Sequence, residues 1–326
     1  MNNLSRQQPK LIMTLLARDE EDIIKHNIEF HLAHGVDFII ATDNGSIDKT
    51  RDILDEYKKK GILHLIDEPG RNKFQAAWNN RMAKIAVEKY NADIIFHCDA
   101  DEFWCPTKED LKTEIWNSHY DVMSVKIINV LLENRNGEES FPEDAKYAVI
   151  KPLKTSNFEE DTKKQNMYFY RYGSKVIFTT GKGVFEVDQG NHSVVNFNKN
   201  IFQGRSKNVN IYHFPLRGKE RFYHKVIESG KAVEKNTLLN KHQSFHIRRW
   251  FNAYKDGNLE GEYEKLIITN NKAEELIRKG MLEKLSFINL QQKKNEIKQK
   301  QDELYEIRNS LRWKISDYFY KIIRRK

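Results

Sequence analysis

The sequence predicts an α/β protein built on a mainly parallel central sheet with helices on its faces. Three observations carry this. Short apolar runs alternate with longer amphipathic segments through the first hundred residues. The runs are continuous, the pattern of strands buried on both faces and not of strands with one wet side. Glycines stand where the amphipathic segments stop, as Gly35 and Gly61 do, and glycine is the usual helix terminator.

Each element follows from its own residues. Leu11 to Ala17 (LIMTLLA) reads as the first strand. Asp22 to His34 reads as a helix, with Ile23, Ile24, Ile28, Phe30 and Leu32 on its apolar side. Val36 to Thr42 is the second strand, Asp48 to Lys60 the second helix, and Ile62 to Ile66 the third strand. Phe74 to Tyr90 is an Ala-rich third helix, and Ala92 to Cys98 a fourth strand that runs straight into Asp99. Strands and helices in this rhythm give crossover units and a parallel sheet. In such sheets ligands bind beyond the carboxyl ends of the strands. Arg18-Asp19-Glu20-Glu21, Asp43-Asn44-Gly45-Ser46 and Asp99-Ala100-Asp101-Glu102 all stand at such ends, so three polar clusters are aimed at one crevice.

The middle of the chain is less regular. Asp121 to Leu132 reads as a strand, Met167 to Val187 as β-rich pieces broken by glycines, Val209 to Phe214 as a short strand and Lys219 to Glu234 as a helix. The polar stretches Glu133 to Asp144 and Thr155 to Asn166 read as loops. The end changes character. Gln, Lys, Glu and Asn dominate from about Glu283 to Lys300, and then Leu304, Ile307, Leu311, Ile315, Tyr318 and Ile322 recur at helical spacing.

Composition bounds the class. The chain has 326 residues, 39% hydrophobic and 31% charged, with 18 Phe, 14 Tyr and 5 Trp. That is enough to bury a large core, and too aromatic for disorder over most of its length. The two cysteines, Cys98 and Cys105, lack metal-ligand spacing and point to a reducing compartment. No apolar run approaches the roughly 20 residues that span a bilayer, and the first ten residues lack the apolar core of a signal peptide. The expected location is cytoplasmic.

Asp99-Ala100-Asp101 carries the chemistry. Alternate residues of an extended segment point the same way, so its two carboxylates can converge on one hard divalent cation, Mn²⁺ or Mg²⁺, which prefers oxygen ligands. Such an ion bridges to a diphosphate and neutralises a departing nucleoside diphosphate. A D-x-D tripeptide alone is common, and its plain alternative is a solvated strand end or a helix cap; its place after a buried strand favours the site. Asn44-Gly45 with Ser46 and Asp48 equally suits a turn and helix cap.

Leu15 to Asp22, Thr42 to Thr50 and Asp99 to Trp104, in that order and spacing, resemble glycosyltransferase family 2, in particular a bacterial branch with an R-D-E-x-D start and a D-A-D-E-F-W motif. The resemblance runs from about Lys10 to Glu234. It implies a GT-A fold, a nucleotide-sugar donor, usually UDP-linked, a divalent metal and inversion at the anomeric carbon. By position it implies that Ala17, Arg18, Asp19, Glu20, Asp43 and Asn44 line the nucleotide pocket, with Asp99 and Ala100 at the ribose or metal and Asp101 as main metal ligand. Asn44 and Ile47 depart from the commoner D-D-G-S-T pattern. His213-Phe214-Pro215-Leu216-Arg217 resembles an H-[YF]-P-x-R segment of this branch; His213 can complete a metal shell begun by carboxylates and Arg217 can clamp the diphosphate. Gly190-Asn191-His192-Ser193 resembles a second turn of the branch, placing His192 near donor or acceptor sugar, with Trp104 as another sugar contact. Arg81, Arg71 and Lys73 are further phosphate candidates, although a solvated helix face is the better account of Arg81.

Inversion needs a base for the acceptor hydroxyl. Asp188, Glu186 and Glu133 are candidates, Asp188 preferred for its place just before the glycine turn. The expected organisation is a GT-A catalytic domain over residues 1–240, a helical extension over 241–282, and a polar helix or coiled coil with a basic amphipathic tail over 283–326.

Net charge is +8, and Lys314, Lys321, Arg324, Arg325 and Lys326 crowd the tail beside Trp313, Tyr318 and Phe319. A basic helix with an aromatic edge suits an anionic membrane surface; a helix packed on the catalytic domain or a homodimer seam is the alternative. The expected enzyme sits at the inner face of the plasma membrane and builds capsule, lipopolysaccharide or another glycan on a glycan or lipid-linked acceptor. No nucleic-acid partner is expected, since the aromatics lack an RNA-binding arrangement. A nucleotidyltransferase is disfavoured because Asp19-Glu20-Glu21 stands where its basic phosphate loop would be. A coiled-coil scaffold with a degenerate sugar-nucleotide domain is disfavoured by the retained Asp99 and Asp101.

Overall fold

The structure, a computed structural model, describes residues 9–69, 75–136, 138–183, 186–195, 200–235 and 244–287. All of these fall within one compact unit, Met1–Phe287. The predicted polar helix and basic tail, beyond residue 287, and Arg71 and Lys73 lie outside the described residues.

The first half alternates as expected. Its elements are β1 (Leu11–Ala17), α1 (Ile24–Ala33), β2 (Phe38–Asp43), α2 (Thr50–Lys59), β3 (Leu63–Asp67), α3 (Gln75–Tyr90) and β4 (Ile94–Asp99). Strands β1 to β4 pair in parallel in the order β3-β2-β1-β4. The chain moves outward from β1 to β3 and then returns to the other side of β1. That reversal opens a crevice between the carboxyl ends of β1 and β4, where Leu16 stands opposite Asp99.

The remaining elements are β5 (Glu102–Pro106), α4 (Leu111–Trp116), β6 (Val122–Leu132), β7 (Ala145–Val149), α5 (Phe158–Lys164), β8 (Lys175–Thr179), β9 (Glu186–Val187), β10 (Val194–Val195), β11 (Gln203–His213), α6 (Lys219–Lys235), α7 (Phe245–Lys255), α8 (Leu259–Glu264), α9 (Asn270–Arg278) and β12 (Leu282–Lys284). The sheet continues β4-β8-β6-β7-β12, with β8 antiparallel to both β4 and β6. Strand β11 runs between β6 and β5, antiparallel to β5. The fold is thus a mixed α/β sheet flanked by helices, parallel through β1 to β4 and antiparallel at β8. Strand β12 pairs with β7, and α7 packs on α6, so the segment after residue 240 is built into the same unit.

Two local expectations are corrected. Residues 158–164 form α5, not loop: Asn157 accepts from the Glu160 amide at 3.2 Å, and Glu159, Glu160 and Asp161 in the first turn answer Lys163 and Lys164 in the last, matching the helix dipole. Strand β11 begins at Gln203, six residues earlier than expected, because its exposed half alternates polar residues along an edge.

The core is apolar with a few enclosed polar pairs. Met82 and Ala83 of α3 pack on Ile12, Ile40, Ile95 and Phe178 of the sheet. His97 bonds Thr14 within it, and His31 bonds the Asn27 carbonyl at 2.8 Å. Burial pulls both imidazoles down to about 3, so both are neutral in the folded protein.

Candidate functional site

Beyond the ends of β1, β2, β4 and β11 lies a cavity of about 700 Å³. Glu20, Asn44, Asp99, Ala100, Asp101, His213 and Arg217, all singled out from the sequence, line it together. An adjoining cavity of about 150 Å³ is lined by Arg18, Asp19, Glu20, Asn44, Arg221 and Lys225, among others.

The backbone explains how Asp101 and His213 meet. Residues Asp99 to Asp101 turn the chain from β4 into β5, and β5 pairs antiparallel with β11 so that His213 stands opposite Glu102. The Phe214 amide donates to the Asp101 carbonyl at 2.8 Å, locking the register. His213 Nε2 then lies 3.6 Å from Asp101 Oδ2.

A second layer fixes the ring. Asn129 Nδ2 donates to the Tyr168 carbonyl at 3.0 Å, which turns Asn129 Oδ1 towards His213 Nδ1 at 2.8 Å. Nδ1 must therefore carry a hydrogen, and Nε2 is the ring nitrogen turned towards Asp101. Histidine ligands to metals are oriented in this manner. Burial alone would raise Asp101, but His213, Lys225 and Arg217 outweigh it and hold the carboxyl below the usual range. An ionised oxygen and an imidazole nitrogen facing one space fit a divalent cation such as Mn²⁺. Among the described residues no group of three His, Cys, Asp or Glu side chains is gathered for a metal, so the remaining positions would fall to donor oxygens or water.

Asp99 is placed differently from its neighbour. Lys175 Nζ, on β8, lies 2.5 Å from Asp99 Oδ2 and 2.8 Å from Glu102 Oε1. Gln75 Nε2 donates to the other Asp99 oxygen at 3.2 Å. The Lys175 and Glu102 side chains are 4% exposed each. Desolvation opposes charge on Lys175, but the two carboxylates outweigh it and hold the ammonium protonated. Burial pushes Glu102 up to about 7 against the pull of Lys175. The carboxylate expected to share the metal is therefore held by a lysine.

The other end of the crevice is cationic. Arg217 contacts Glu20 at 2.5 Å and Asp22 at 2.8 Å, and Arg221 contacts Glu20 at 3.0 Å. Arg217 Nη1 is buried with no hydrogen-bond partner among the described residues. Lys225 Nζ stands 3.8 Å from Asp101 Oδ2. Buried cations with unused donors beside an ionised carboxylate make a place for an anion that also carries a metal.

The loops after β1 and β2 are tied by their own acids. Asp19, at φ 52°, accepts from the Ile47 amide at 2.7 Å, and its amide donates to Ser46 Oγ at 3.0 Å. Asp43 accepts from Ser46 Oγ at 2.5 Å and its amide at 3.3 Å, and is absent from both cavity linings. Ala17 is buried at the end of β1.

Several expected residues lie elsewhere. Trp104 is wholly buried, its ring 4.8 Å from Phe96, and has no surface to offer a sugar. Arg81 is exposed in an ion pair with Glu68 at 2.7 Å. Glu133 is bonded by Lys146 at 2.6 Å and Tyr147 at 2.7 Å. Asp188 spends its carboxylate on its own turn, accepting from the His192 and Ser193 amides and the Ser193 hydroxyl. His192 bonds the Ser174 carbonyl at 2.9 Å, and Glu186 is exposed on β9. None of these six lines either cavity.

Sequence reading missed Lys175, Gln75, Arg221 and Lys225. A signal for two of them existed: Arg217, Arg221, Lys225 and Ser229 recur every four residues, and the last three share a face of α6. Lys175 gives no local signal, because its partners are more than 70 residues away.

The profile of glycosyltransferase family 92 matches residues 13–258. That match spans the crevice at the switch point of the mixed α/β sheet and makes the protein a glycosyltransferase. The chain belongs to glycosyltransferase family 92. No curated protein sequence matches it. Among solved structures it is similar to S. aureus TarS 1-349 in complex with UDP-GlcNAc, at 18% identity and TM-score 0.38, covering 72% of this chain and 69% of that one. It is also similar to glucosyl-3-phosphoglycerate synthase from Mycobacterium tuberculosis in complex with Mn²⁺, UDP and glucosyl-3-phosphoglycerate, at 17% identity and TM-score 0.26, covering 37% of this chain and 44% of that one.

Proposed function

We propose that this glycosyltransferase transfers a sugar from a UDP-linked donor in a divalent-metal-dependent, inverting displacement onto a glycan acceptor. The observation that carries the reading is the pairing of ionised Asp101 with a ring-locked His213 inside a cavity edged by Arg217, Arg221 and Lys225. Uridine fits the small cavity against Arg18, Glu20 and Asn44, in line with the family 2 likeness of the R-D-E-x-D segment. Asp101 and His213 would hold the metal. When bound, it neutralises negative charge that develops on the departing diphosphate.

The remaining work falls to side chains. Arg217, Arg221 and Lys225 orient the diphosphate, and Lys225 exchanges its long contact with Asp101 for a phosphate oxygen. Lys175 keeps Asp99 off the metal and holds it, with Gln75, facing the donor. The product is a surface glycan, and the basic and aromatic residues from Trp313 to Lys326 carry the enzyme to the inner face of the membrane. No helix among the described residues is long and apolar enough to cross a membrane.

Thermal stabilisation by a nucleotide panel, with and without Mn²⁺, tests the donor site, since a ligand that binds only the folded state raises its apparent stability. UDP with Mn²⁺ raises Tm in wild type and not in Asp101→Ala. A folded wild type indifferent to every nucleotide overturns the reading. The anomeric configuration of the first product, read by NMR, tests inversion.

A further inference from the structure

The large cavity has two chemically distinct halves. The polar half, described above, holds the carboxylates and cations. The other half is walled by Phe158, Tyr168, Tyr172, Phe245, His246 and Trp250. With its remaining members Met167, Ser244 and Ile247, this half contains no Asp, Glu, Lys or Arg among its lining residues. Its near edge touches the proposed metal ligands: the Tyr172 ring lies 5.8 Å from the His213 ring.

This wall is not ordinary core. The core aromatics Phe96, Phe103, Phe178 and Phe214 are fully buried. Phe158, Tyr172 and Phe245 keep part of their surface in the open cavity. Phe158 sits edge-on between Tyr172 at 6.2 Å and Phe245 at 5.8 Å. Behind them Trp250, 3% exposed, packs on His246 at 5.2 Å and Phe222 at 5.0 Å. Its indole Nε1 is buried with no hydrogen-bond partner among the described residues. A half-open aromatic wall with an unused donor is what a ligand with both apolar faces and hydroxyls would complete.

We infer that the aromatic half is the acceptor subsite, and that it takes an uncharged carbohydrate containing a pyranose ring. This rests on the donor reading above, which assigns the polar half to UDP. The C–H face of a pyranose carries partial positive charge and packs against the negative face of an aromatic ring. Its hydroxyls reach groups such as the Trp250 N–H. A phosphate-bearing or acidic acceptor unit would find no lysine or arginine on this wall, and Arg249, 5.9 Å from the Trp250 ring, is already paired with Glu262 at 3.0 Å, whereas three cations edge the other half. The acceptor hydroxyl lies beside His213, and the sugar bonds to it as its bond to the UDP oxygen breaks, the hydroxyl proton passing to solvent or a base.

The test uses the full chain with saturating UDP and Mn²⁺, titrated with neutral disaccharides (lactose, maltose, cellobiose), with a sialylated lactose and with ribitol phosphate, followed by saturation-transfer NMR and tryptophan fluorescence. A neutral disaccharide binds wild type. Phe245→Ala weakens it about tenfold, the loss of one aromatic packing face, and Phe245→Trp restores it. Binding of the anionic probes in preference to the neutral ones overturns the inference, as does unchanged disaccharide affinity in Phe245→Ala. So does loss of UDP affinity in Phe245→Ala equal to the loss of disaccharide affinity, which would give the aromatic half to the donor. UDP titrated alone separates the two readings: wild type that binds UDP and no disaccharide sinks this inference only, whereas wild type that binds no UDP sinks the donor reading.

Discussion

Removal of Lys175 tests how the acidic motif is held. Its Nζ lies 2.5 Å from Asp99 and 2.8 Å from Glu102. Each contact is worth roughly 6 kcal/mol at an effective dielectric constant of about 20. Most of that is offset by desolvation, which costs several kcal/mol per buried ion. Asp99 is about one-third exposed and recovers water when the lysine goes, whereas Glu102 is buried and does not. Lys175→Met therefore leaves Glu102, already pushed up to about 7 beside the lysine, without its cation, so it takes a proton at pH 7; the expected loss is about 1–3 kcal/mol, that of buried polar contacts left unmade. Urea unfolding at pH 7 measures it as a lowered midpoint with an unchanged slope. Adding Glu102→Gln removes the acid that must take up that proton and recovers about 1 kcal/mol by coupling. A Lys175→Met protein within about 1 kcal/mol of wild type would refute the reasoning, and so would a double variant no more stable than the single.

Four further outcomes follow from the same structure. His31 and His97 bind a proton in the unfolded chain below their ordinary value near 6.5 but resist it in the fold down to about 3; stability therefore falls with pH across that window, by at most ~1.4 kcal/mol per pH unit for each ring, and unfolding free energies at pH 7 and pH 5 check it against His97→Gln. Arg217→Ala leaves Glu20 and Asp22 to Arg221 alone, costs about 1–3 kcal/mol and weakens UDP binding, measured by calorimetry beside urea unfolding. Phe178→Ala opens the fully buried core beneath α3 and costs about 3–5 kcal/mol, read from the same unfolding curves with UDP affinity intact. Asn129→Leu removes the acceptor that orients His213 and lowers Mn²⁺ affinity about 10–100-fold, seen by electron paramagnetic resonance of free Mn²⁺.

The parallel half of the fold was legible because each element carries a local pattern. Leu11–Ala17 is a run with Thr14 as its one polar residue and Ile94–Asp99 opens on Ile94-Ile95-Phe96, and the observed strands fall within a residue or two of the expected ones. The polar clusters at their ends converge because the strand order places β1 beside β4. Strands β5, β7 and β12 were not read. They are short, and their identity comes from partners far along the chain: β5 from β11, β7 from β6, and β12 from β7. Residues 158–164 carried a readable cap in Asn157 and were passed over for their polarity.

The site was legible in proportion to how local it is. Asp101, Glu20, Asn44, His213 and Arg217 share the cavity, as the motifs implied. Asp99 and Asp101, two residues apart, nevertheless take different partners, because Lys175 arrives from β8 on one side and His213 from β11 on the other. Trp104 read as a sugar contact from its place in the motif, but alternation along β5 is overridden there: all five residues of the strand are covered. Asp188 read as a base from its place before a glycine turn, and that turn consumes its carboxylate.

The most direct test of the account is Mn²⁺ binding in the presence of UDP, measured by electron paramagnetic resonance for wild type, Asp101→Asn, His213→Ala and Asp99→Asn. The account predicts that Asp101→Asn and His213→Ala each lose the bound ion, while Asp99→Asn, whose oxygens are held by Lys175 and Gln75, retains it. Loss of Mn²⁺ in Asp99→Asn as severe as in Asp101→Asn would contradict the division of the motif into one metal ligand and one lysine-held carboxylate.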